Sequence, residues 1–323
     1  MTKDLVLQLL SSSDGYVSGE EISKKINLSR AAVNTAVKKL RKEGYDILSS
    51  TNKGYFLKSI PDIITTETLS NYLPSERVQK TLCLSSVDST NKKVTALAYD
   101  GAQNGFVVIA DKQTGGKGRM GRSFFSPGGK GIYLSILLKP DGEISELSGI
   151  TAAAAVAVCR AVKTVYGETP DIKWVNDLLI GGKKVCGILT EAALEGESGR
   201  ISYIIIGIGI NVQGEEKDFP EEIRNIATSL QNEYGKTVPK AELAARVIEE
   251  LDKIDFSSPE GRERTLLEYR ALNATVGKRV GFVMNGERYY GTAAEINSDF
   301  SLKVKLDDGT VRDLKSGEIS LLK

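Results

Sequence analysis

Residues 112–131 read KQTGGKGRMGRSFFSPGGKG. The stretch holds five Lys/Arg, no Asp or Glu, and seven glycines. Gly116-x-Gly118-x-x-Gly121 has the glycine spacing of a dinucleotide-binding turn, but such a turn must open a helix. Here the chain runs into Pro127 and then into the apolar stretch Ile132–Leu138, which reads as a strand. No Gly-Lys-Ser/Thr closes the segment, so it is not a P-loop either. What remains is a basic loop whose backbone N–H groups, with Lys117, Arg119 and Arg122, can wrap an anion. A solvated surface loop is the competing reading. As a ligand loop it is expected to be mobile when empty and to order over its ligand, with the ordering entropy drawn from binding energy.

Around this loop the chain alternates short apolar runs with helical patterns. Strands are predicted at Leu82–Val87, Phe106–Lys112, Gly131–Leu138, Asp171–Val175, Val185–Glu191 and Tyr203–Ile210. Helices are predicted at Thr66–Tyr72, Thr90–Asp100, Ser145–Tyr166, Pro220–Ile226 and Lys240–Ile254. The order is mixed rather than strictly alternating, which points to an α+β domain with a mixed sheet. From about Leu272 short strands follow one another, with turns at Asn285-Gly286 and Asp308-Gly309, as in a small SH3-like β-barrel. Domains are therefore expected over residues 1–62, 63–271 and 272–323, with Pro61 as a hinge.

The first sixty residues are different. They carry ten Lys/Arg against six Asp/Glu, a net +4, in a 323-residue chain whose total is +1. Asp4–Leu10 starts an amphipathic helix, and Ser18 with Glu21 has capping-box spacing for a second helix through Ile22 and Ile26. After the connection at Asn27-Leu28, Ser29 caps a third helix with Val33, Ala36, Val37 and Leu40 on one face and Gly44 at its C-terminal end. Its other face presents Arg30, Asn34, Thr35 and Lys38, side chains able to reach base edges or phosphates. Two β segments, Tyr45–Ser50 and Tyr55–Leu57, turn at Asn52-Lys53-Gly54 and place Lys53 at the tip of a wing. The pattern is a winged helix-turn-helix. A helical protein-interaction module with a solvated basic face is the alternative.

Two compositional facts exclude much chemistry. There is no histidine, so a Ser-His-Asp triad, a Cys-His dyad and an H-E-x-x-H zinc site are impossible. Cys83, Cys159 and Cys186 are too far apart for a C-x-x-C pair, and so sparse a count fits a reducing compartment. No secretory segment is evident. The longest apolar runs, near Ala152–Val158 and Ile204–Ile210, are short for a membrane span, so a soluble cytoplasmic protein is expected.

Several segments together resemble the biotin protein ligases, and with the winged head the bifunctional ligase and biotin operon repressor kind. The loop G-K-G-R-M-G-R is similar to the family's G-R-G-R-x-G-R. Asp88-Ser89-Thr90-Asn91 matches D-S-T-N, Lys173-Trp174-Val175-Asn176-Asp177 matches K-W-P-N-D, Gly182–Glu191 matches K-x-x-G-I-L-x-E, and Gly207–Asn211 matches G-x-G-I-N. Ser316-Gly317-Glu318-Ile319-Ser320 continues the match to the end of the chain. Lys117 replaces an arginine, keeping charge but losing the bidentate fork. Val175 replaces proline and adds an N–H, and Phe124 stands where the family has tryptophan.

The resemblance implies ATP-dependent formation of biotinyl-5′-AMP, with magnesium, and transfer of biotin to a lysine of a biotin carboxyl carrier protein domain. It also implies operator binding by a homodimer with the adenylate as corepressor, and no membrane partner. Both nucleophiles come from substrates, which suits a chain without histidine. Ser89, Thr90 and Gln113 would face the biotin urea, with Asn91, Gly116, Arg119, Lys184 and Gly187 completing the biotin subsite. Ser89 and Thr90 could instead merely cap the helix that follows. Lys117, Arg119, Arg122, Phe124, Lys173, Asn176 and Asn211 would serve ATP and the adenylate. Lys184, Arg119 and Asp177 would carry the chemistry, Lys184 being preferred over its neighbour Lys183. Asp177 would orient the incoming amine or help to hold magnesium. The rivals are a lipoate-protein ligase, a biotin-sensing transcription factor without ligase activity, and a ligase whose head has no DNA function.

Overall fold

In the computed structural model, residues 2–42, 44–59, 62–139, 147–194, 201–255 and 258–322 are described. The expected hinge Pro61 and the first predicted residues of the long helix, 145–146, lie outside them. The chain folds into two compact units, residues 1–62 and 63–323.

The smaller unit has helices Thr2–Ser11, Gly19–Lys25 and Arg30–Lys42, followed by the hairpin β1 (Asp46–Ser50) and β2 (Gly54–Ser59). Val6, Leu10, Ile22, Val33, Val37, Leu40 and Ile47 form its core. Their helical spacing is what made the three helices legible. Ser18 Oγ accepts from Glu21 N at 3.0 Å, but the Glu21 carboxylate pairs with Lys25, also at 3.0 Å, so half the expected capping box forms. Asn27 takes φ 52° in the turn between the second and third helices, a conformation Asn tolerates better than most residues. Gly44, at φ 94°, ends the third helix as its position predicts.

The larger unit is built on a seven-stranded mixed sheet. Its strands are β3 (Thr81–Leu84), β4 (Val107–Ala110), β5 (Gly131–Leu138), β6 (Asp171–Lys173), β7 (Asp177–Ile180), β8 (Lys183–Leu194) and β9 (Ile201–Asn211). Their order is β3-β4-β5-β9-β8-β7-β6, with β3 and β4 parallel and every other pair antiparallel. Alternate residues of β9 enter two different cores. Ile204, Ile206 and Ile208 belong to the core that also takes in the helices Leu147–Tyr166 and Lys240–Asp252, while Tyr203 and Ile205 cluster with Val94 of the helix Thr90–Tyr99. Covering on both faces explains why β9 reads as one apolar run rather than an alternation.

Three predictions from the sequence change here. The tetrad Asp177–Ile180 is a separate strand, joined to β8 by Gly181 and Gly182 at φ 57° and 81°; its shortness hid it. A helix not foreseen, Pro259–Leu272, packs on Leu147–Tyr166 through Leu266 and Tyr269. The helix Leu147–Tyr166 is itself long and apolar enough, by length and composition, to cross a membrane, but its apolar window is 83% buried inside the fold.

The C-terminal strands β10 (Arg279–Met284), β11 (Glu287–Ile296), β12 (Leu302–Leu306), β13 (Val311–Leu314) and β14 (Ile319–Leu321) form an antiparallel sheet ordered β13-β12-β11-β10-β14. Val280, Phe282, Ile296, Phe300 and Leu302 belong to the same core as the central sheet. The sheet, expected as a small SH3-like β-barrel domain over residues 272–323, thus shares a core with the residues before it.

Candidate active site

Three glycines make the floor. Gly187 on β8 and Gly209 on β9 face each other across the ladder, with Gly207 two residues away. A Cβ on Gly209 would lie 2.4 Å from the Phe124 ring, and one on Gly207 would lie 2.1 Å from Asn91 Oδ1. At Gly187 a Cβ would meet the Lys184 side chain at 2.9 Å and Phe124 at 3.1 Å. Glycine is used here for close approach, not for unusual backbone angles.

Beside the floor stands a chain of polar side chains, buried at Thr90, Asn91, Ser126 and Ser135 and open to solvent at Glu191. Thr90 donates to Gln113 Oε1 from both N and Oγ1, at 2.9 and 3.1 Å, and Gln113 Nε2 donates to Ser126 Oγ at 3.0 Å. Ser135 Oγ lies 2.7 Å from Thr90 Oγ1 and 2.6 Å from Asn91 Oδ1, and Asn91 Nδ2 donates to Glu191 Oε2 at 2.6 Å. A connected buried network fixes side-chain positions well, because each unpaired member would lose a full hydrogen bond. Ser89 precedes the helix Thr90–Tyr99 but makes no capping hydrogen bond with its side chain, and it lines the pocket. Helix capping therefore does not account for Ser89.

The rim is cationic. Lys184 Nζ sits 2.6 Å from Asp177 Oδ1 and 5.9 Å from the centre of the Phe124 ring, within cation–π range. Arg119 Nη1 donates to Asn176 Oδ1 at 3.0 Å, while Asn176 Nδ2 donates to the Ile188 carbonyl at 2.8 Å. The turn carrying Asn176 is fastened from behind. Trp174 donates from Nε1 to the Phe300 carbonyl and from N to Thr275 Oγ1, both at 2.9 Å, and the Tyr269 hydroxyl donates to the Val175 carbonyl at 3.2 Å. The Trp174–Val175 peptide is cis.

The glycine-rich segment closes the site as a narrow hairpin. Gln113 N donates to the Ser126 carbonyl, Phe124 N to the Gly116 carbonyl and Gly118 N to the Arg122 carbonyl, at 3.1, 2.9 and 2.7 Å. Its tip, Arg119–Gly121, has Met120 at φ 53° and 77% exposed.

Among the residues singled out from the sequence, Ser89, Thr90, Asn91, Gln113, Lys117, Arg119, Phe124, Asn176, Lys184 and Gly187 line one cavity. Others lie off it. Arg122 pairs with Glu318 before β14 at 2.5 Å, Lys173 stands on β6, and Asn211 Nδ2 donates to the Thr228 carbonyl at 3.0 Å beyond the floor. Gly116 contributes backbone behind Phe124, and Asp177 reaches the rim through Lys184. Lys183 is turned away, its Nζ lying 3.9 Å from Glu216. Sequence reasoning missed Ser135, Ser126 and the part played by Glu191. A lone serine inside the apolar strand GIYLSILL was the available signal for Ser135.

Burial pushes the Cys159 and Cys186 thiols far above the ordinary range, and Cys83 is pushed up to about 11, chiefly by burial. Neither Cys83, Cys159 nor Cys186 lines the cavity, so thiolate chemistry has no place here.

Residues 83–211 match the Biotin/lipoate A/B protein ligase family, and residues 2–56 match an HTH domain. The bifunctional ligase/repressor BirA of Bacillus subtilis (strain 168) is 35% identical over 325 residues, covering 99% of this chain and 98% of its own. This chain belongs to the biotin protein ligase family. The bifunctional ligase/repressor BirA of Escherichia coli (strain K12) is 27% identical over 321 residues, covering 99% of this chain and 97% of its own. Among solved structures, the biotin protein ligase from Aquifex aeolicus in complex with biotin and ATP has a TM-score of 0.63 at 28% identity, covering 75% of this chain and 98% of that one. Membership in the ligase family accounts for a site in which polar groups and cations converge without a histidine or a reactive thiol.

Proposed function

We propose that this protein joins biotin to ATP, holds the resulting biotinyl-5′-AMP, and transfers the biotinyl group to a lysine of a biotin carboxyl carrier protein domain. The observation that carries this reading is the junction of Lys184 and Arg119 with a glycine floor and a buried hydroxyl–amide wall in one cavity. A fused apolar ring with a urea headgroup needs close backbone approach on its faces and a few fixed hydrogen-bonding groups at one end. Gly187, Gly207 and Gly209 supply the first, and Ser89, Thr90 and Gln113 the second. The acid end then meets Lys184.

The chemistry follows from charge placement. The biotin carboxylate attacks the α-phosphorus and pyrophosphate leaves; Lys184 and Arg119 neutralise charge on the phosphate oxygens as it grows. Asn176 holds the Arg119 guanidinium in place for this work. In the second step the acceptor amine attacks the mixed anhydride and AMP leaves. Asp177, which contacts Lys184, orients that amine in this reading. Magnesium favours few protein carboxylates when phosphate oxygens are present. Asp177 fits such a minor role, and no cluster of three carboxylates, cysteines or histidines exists among the described residues. When bound, the ion adds positive charge on the phosphates; Asp177 would hold it.

The Phe124 ring lies directly on Gly187 and Gly209, over the floor of the cavity. Ligand entry therefore displaces Phe124 or the hairpin that carries it, which agrees with a loop that orders over its ligand. Arg122 can reach pyrophosphate once it leaves Glu318.

The winged head is assigned to operator DNA, with Arg30, Asn34, Thr35, Lys38 and Lys53 as its contacts and the adenylate as corepressor. A single winged helix binds weakly, so a homodimer over two half-sites is the expected repressing species. Lipoate as the substrate is disfavoured by the biotin ligase relatives. Incubation with biotin and Mg-ATP followed by native mass spectrometry tests the reading. Retained biotinyl-5′-AMP supports it; bound biotin with no pyrophosphate release reduces the protein to a sensor.

A further inference from the structure

Lys240 is fully buried, and it sits in the first turn of the helix Lys240–Asp252. Both facts work against a cation. Burial strips its water, and the positive end of the helix dipole repels it. Such a residue persists where specific partners compensate, and one of them here is Asp111, with Nζ 3.2 Å from Oδ1.

Asp111 directly follows β4 and directly precedes the glycine-rich segment 112–131. Its other oxygen, Oδ2, accepts from Gly129 N at 3.0 Å, at the far end of the same segment. Tyr133 on β5 adds a second tie, its hydroxyl donating to the Pro127 carbonyl at 2.9 Å. The approach is close: a Cβ on Gly131 would lie 2.6 Å from that hydroxyl. One lysine thus anchors a carboxylate that bridges the two stems of the hairpin, while Gln113, Arg119 and Phe124 are carried farther along it.

We propose that Lys240 is a positioning residue for the ligand loop, acting through Asp111 to fix the separation of the loop's stems and so the placement of Arg119 and Phe124 over the cavity. The proposal rests on the ligase reading of that cavity. Lys240 does not line it, so its effect on the substrates is indirect, and on this proposal it runs through the stems. Prepaying the ordering of the stems should lower the entropic cost of closing the loop, and this appears in binding more than in turnover.

The test uses the full chain with Lys240→Met, Lys240→Arg and Tyr133→Phe. Trypsin cleavage after Lys117, Arg119 and Arg122 reports the loop with and without biotin and ATP. Pyrophosphate release gives KM and kcat. Lys240→Met is expected to speed ligand-free cleavage and to raise the biotin KM about tenfold, the size of one lost charge-assisted hydrogen bond, with kcat changed less than about twofold. Lys240→Arg should restore most of the KM. Should Lys240→Met fail to fold, Tyr133→Phe leaves the buried pair intact, loosens only the Pro127 tie, and should shift cleavage and KM the same way by less. A lower melting temperature with wild-type cleavage and KM, or wild-type behaviour of Tyr133→Phe where Lys240→Met does not fold, would overturn the proposal. If biotin and ATP fail to protect even the wild-type loop, the ligase reading falls, and the ligand-free cleavage rates still decide the clamp.

Discussion

Two basic surfaces in this protein look alike in sequence and differ in construction. The third helix of the head, Arg30–Lys42, leaves Asn34 and Lys38 in water and holds Arg30 in an exposed pair with Glu20 at 2.8 Å. Arg41 is spent on structure, donating to the Ile47 carbonyl and to Ser49 at the wing. The segment 112–131 also carries cations, but Arg119 is oriented by Asn176 beside a largely buried polar chain running from Asn91 through Ser135 and Thr90 to Ser126. Positive charge reports an anionic partner in both places. What separates a polymer surface from a small-molecule site is whether the groups around the charge are buried, paired and fixed before the partner arrives. A nucleic acid supplies many phosphates and tolerates loosely held cations, whereas one adenylate needs a few groups held in place.

That contrast can be broken in graded ways. Lys184→Ala should cut pyrophosphate release by about a thousandfold or more, as expected for a preorganised charge at the reacting atoms. The head should still bind nucleic acid nonspecifically; loss of both would end the separation of the two surfaces. Gly209→Ala comes next, since its Cβ would sit 2.4 Å from the Phe124 ring. Displacing the ring costs about 1–3 kcal/mol, and calorimetry should find biotin binding weakened by more than tenfold. Ser135→Ala removes a buried hydroxyl shared by Thr90 and Asn91 and should cost about 1–3 kcal/mol in stability, measurable by urea unfolding. Biotin affinity should fall with it, because Thr90 loses a fixed neighbour.

Effects on the head should be smaller and of another kind. Lys38→Ala should weaken DNA binding evenly across sequences and reduce the slope of log K against log salt by about one, with ligation unchanged. Glu20→Gln frees Arg30 from an exposed pair weakened by solvent screening, so affinity should rise slightly, as fluorescence anisotropy would show. The smallest expected effect concerns the thiols. Cys83, with its pKa pushed up to about 11 by burial, is neutral at pH 8 and gains thiolate only as pH climbs toward that value. Alkylation followed by mass spectrometry should modify it slowly at pH 8 and faster at pH 10.

Much of this contrast is legible in the amino-acid sequence. The head's apolar spacing, from Val33 to Leu40, is local, and local patterns survive in sequence. So do glycines that mark a floor and the basic segment between two strands. The partners of Ser135 were not legible, because they lie 44 and 45 residues earlier, on the helix Thr90–Tyr99, and nothing in the strand of Ser135 names them. Arg122 was assigned to phosphate on its place in a motif; its pairing with Glu318 spans 196 residues, which spacing cannot show. The helix Pro259–Leu272 escaped because its few buried positions are diluted among charged residues, although Ser258 and Pro259 mark its start. The merging of the C-terminal sheet into the main core was hidden for a similar reason: Trp174 and Phe300 meet across 126 residues.

The glycine floor also sets the direction in which this pocket could be re-engineered. Gly187, Gly207 and Gly209 have no side-chain atoms left to remove, so a bulkier acid gains nothing from mutating beneath it. Room can come only from the roof, where trimming Phe124 would clear the space above Gly187 and Gly209 at once. A library aimed at unnatural biotin analogues should therefore begin with one codon in the hairpin and leave β8 and β9 as they are.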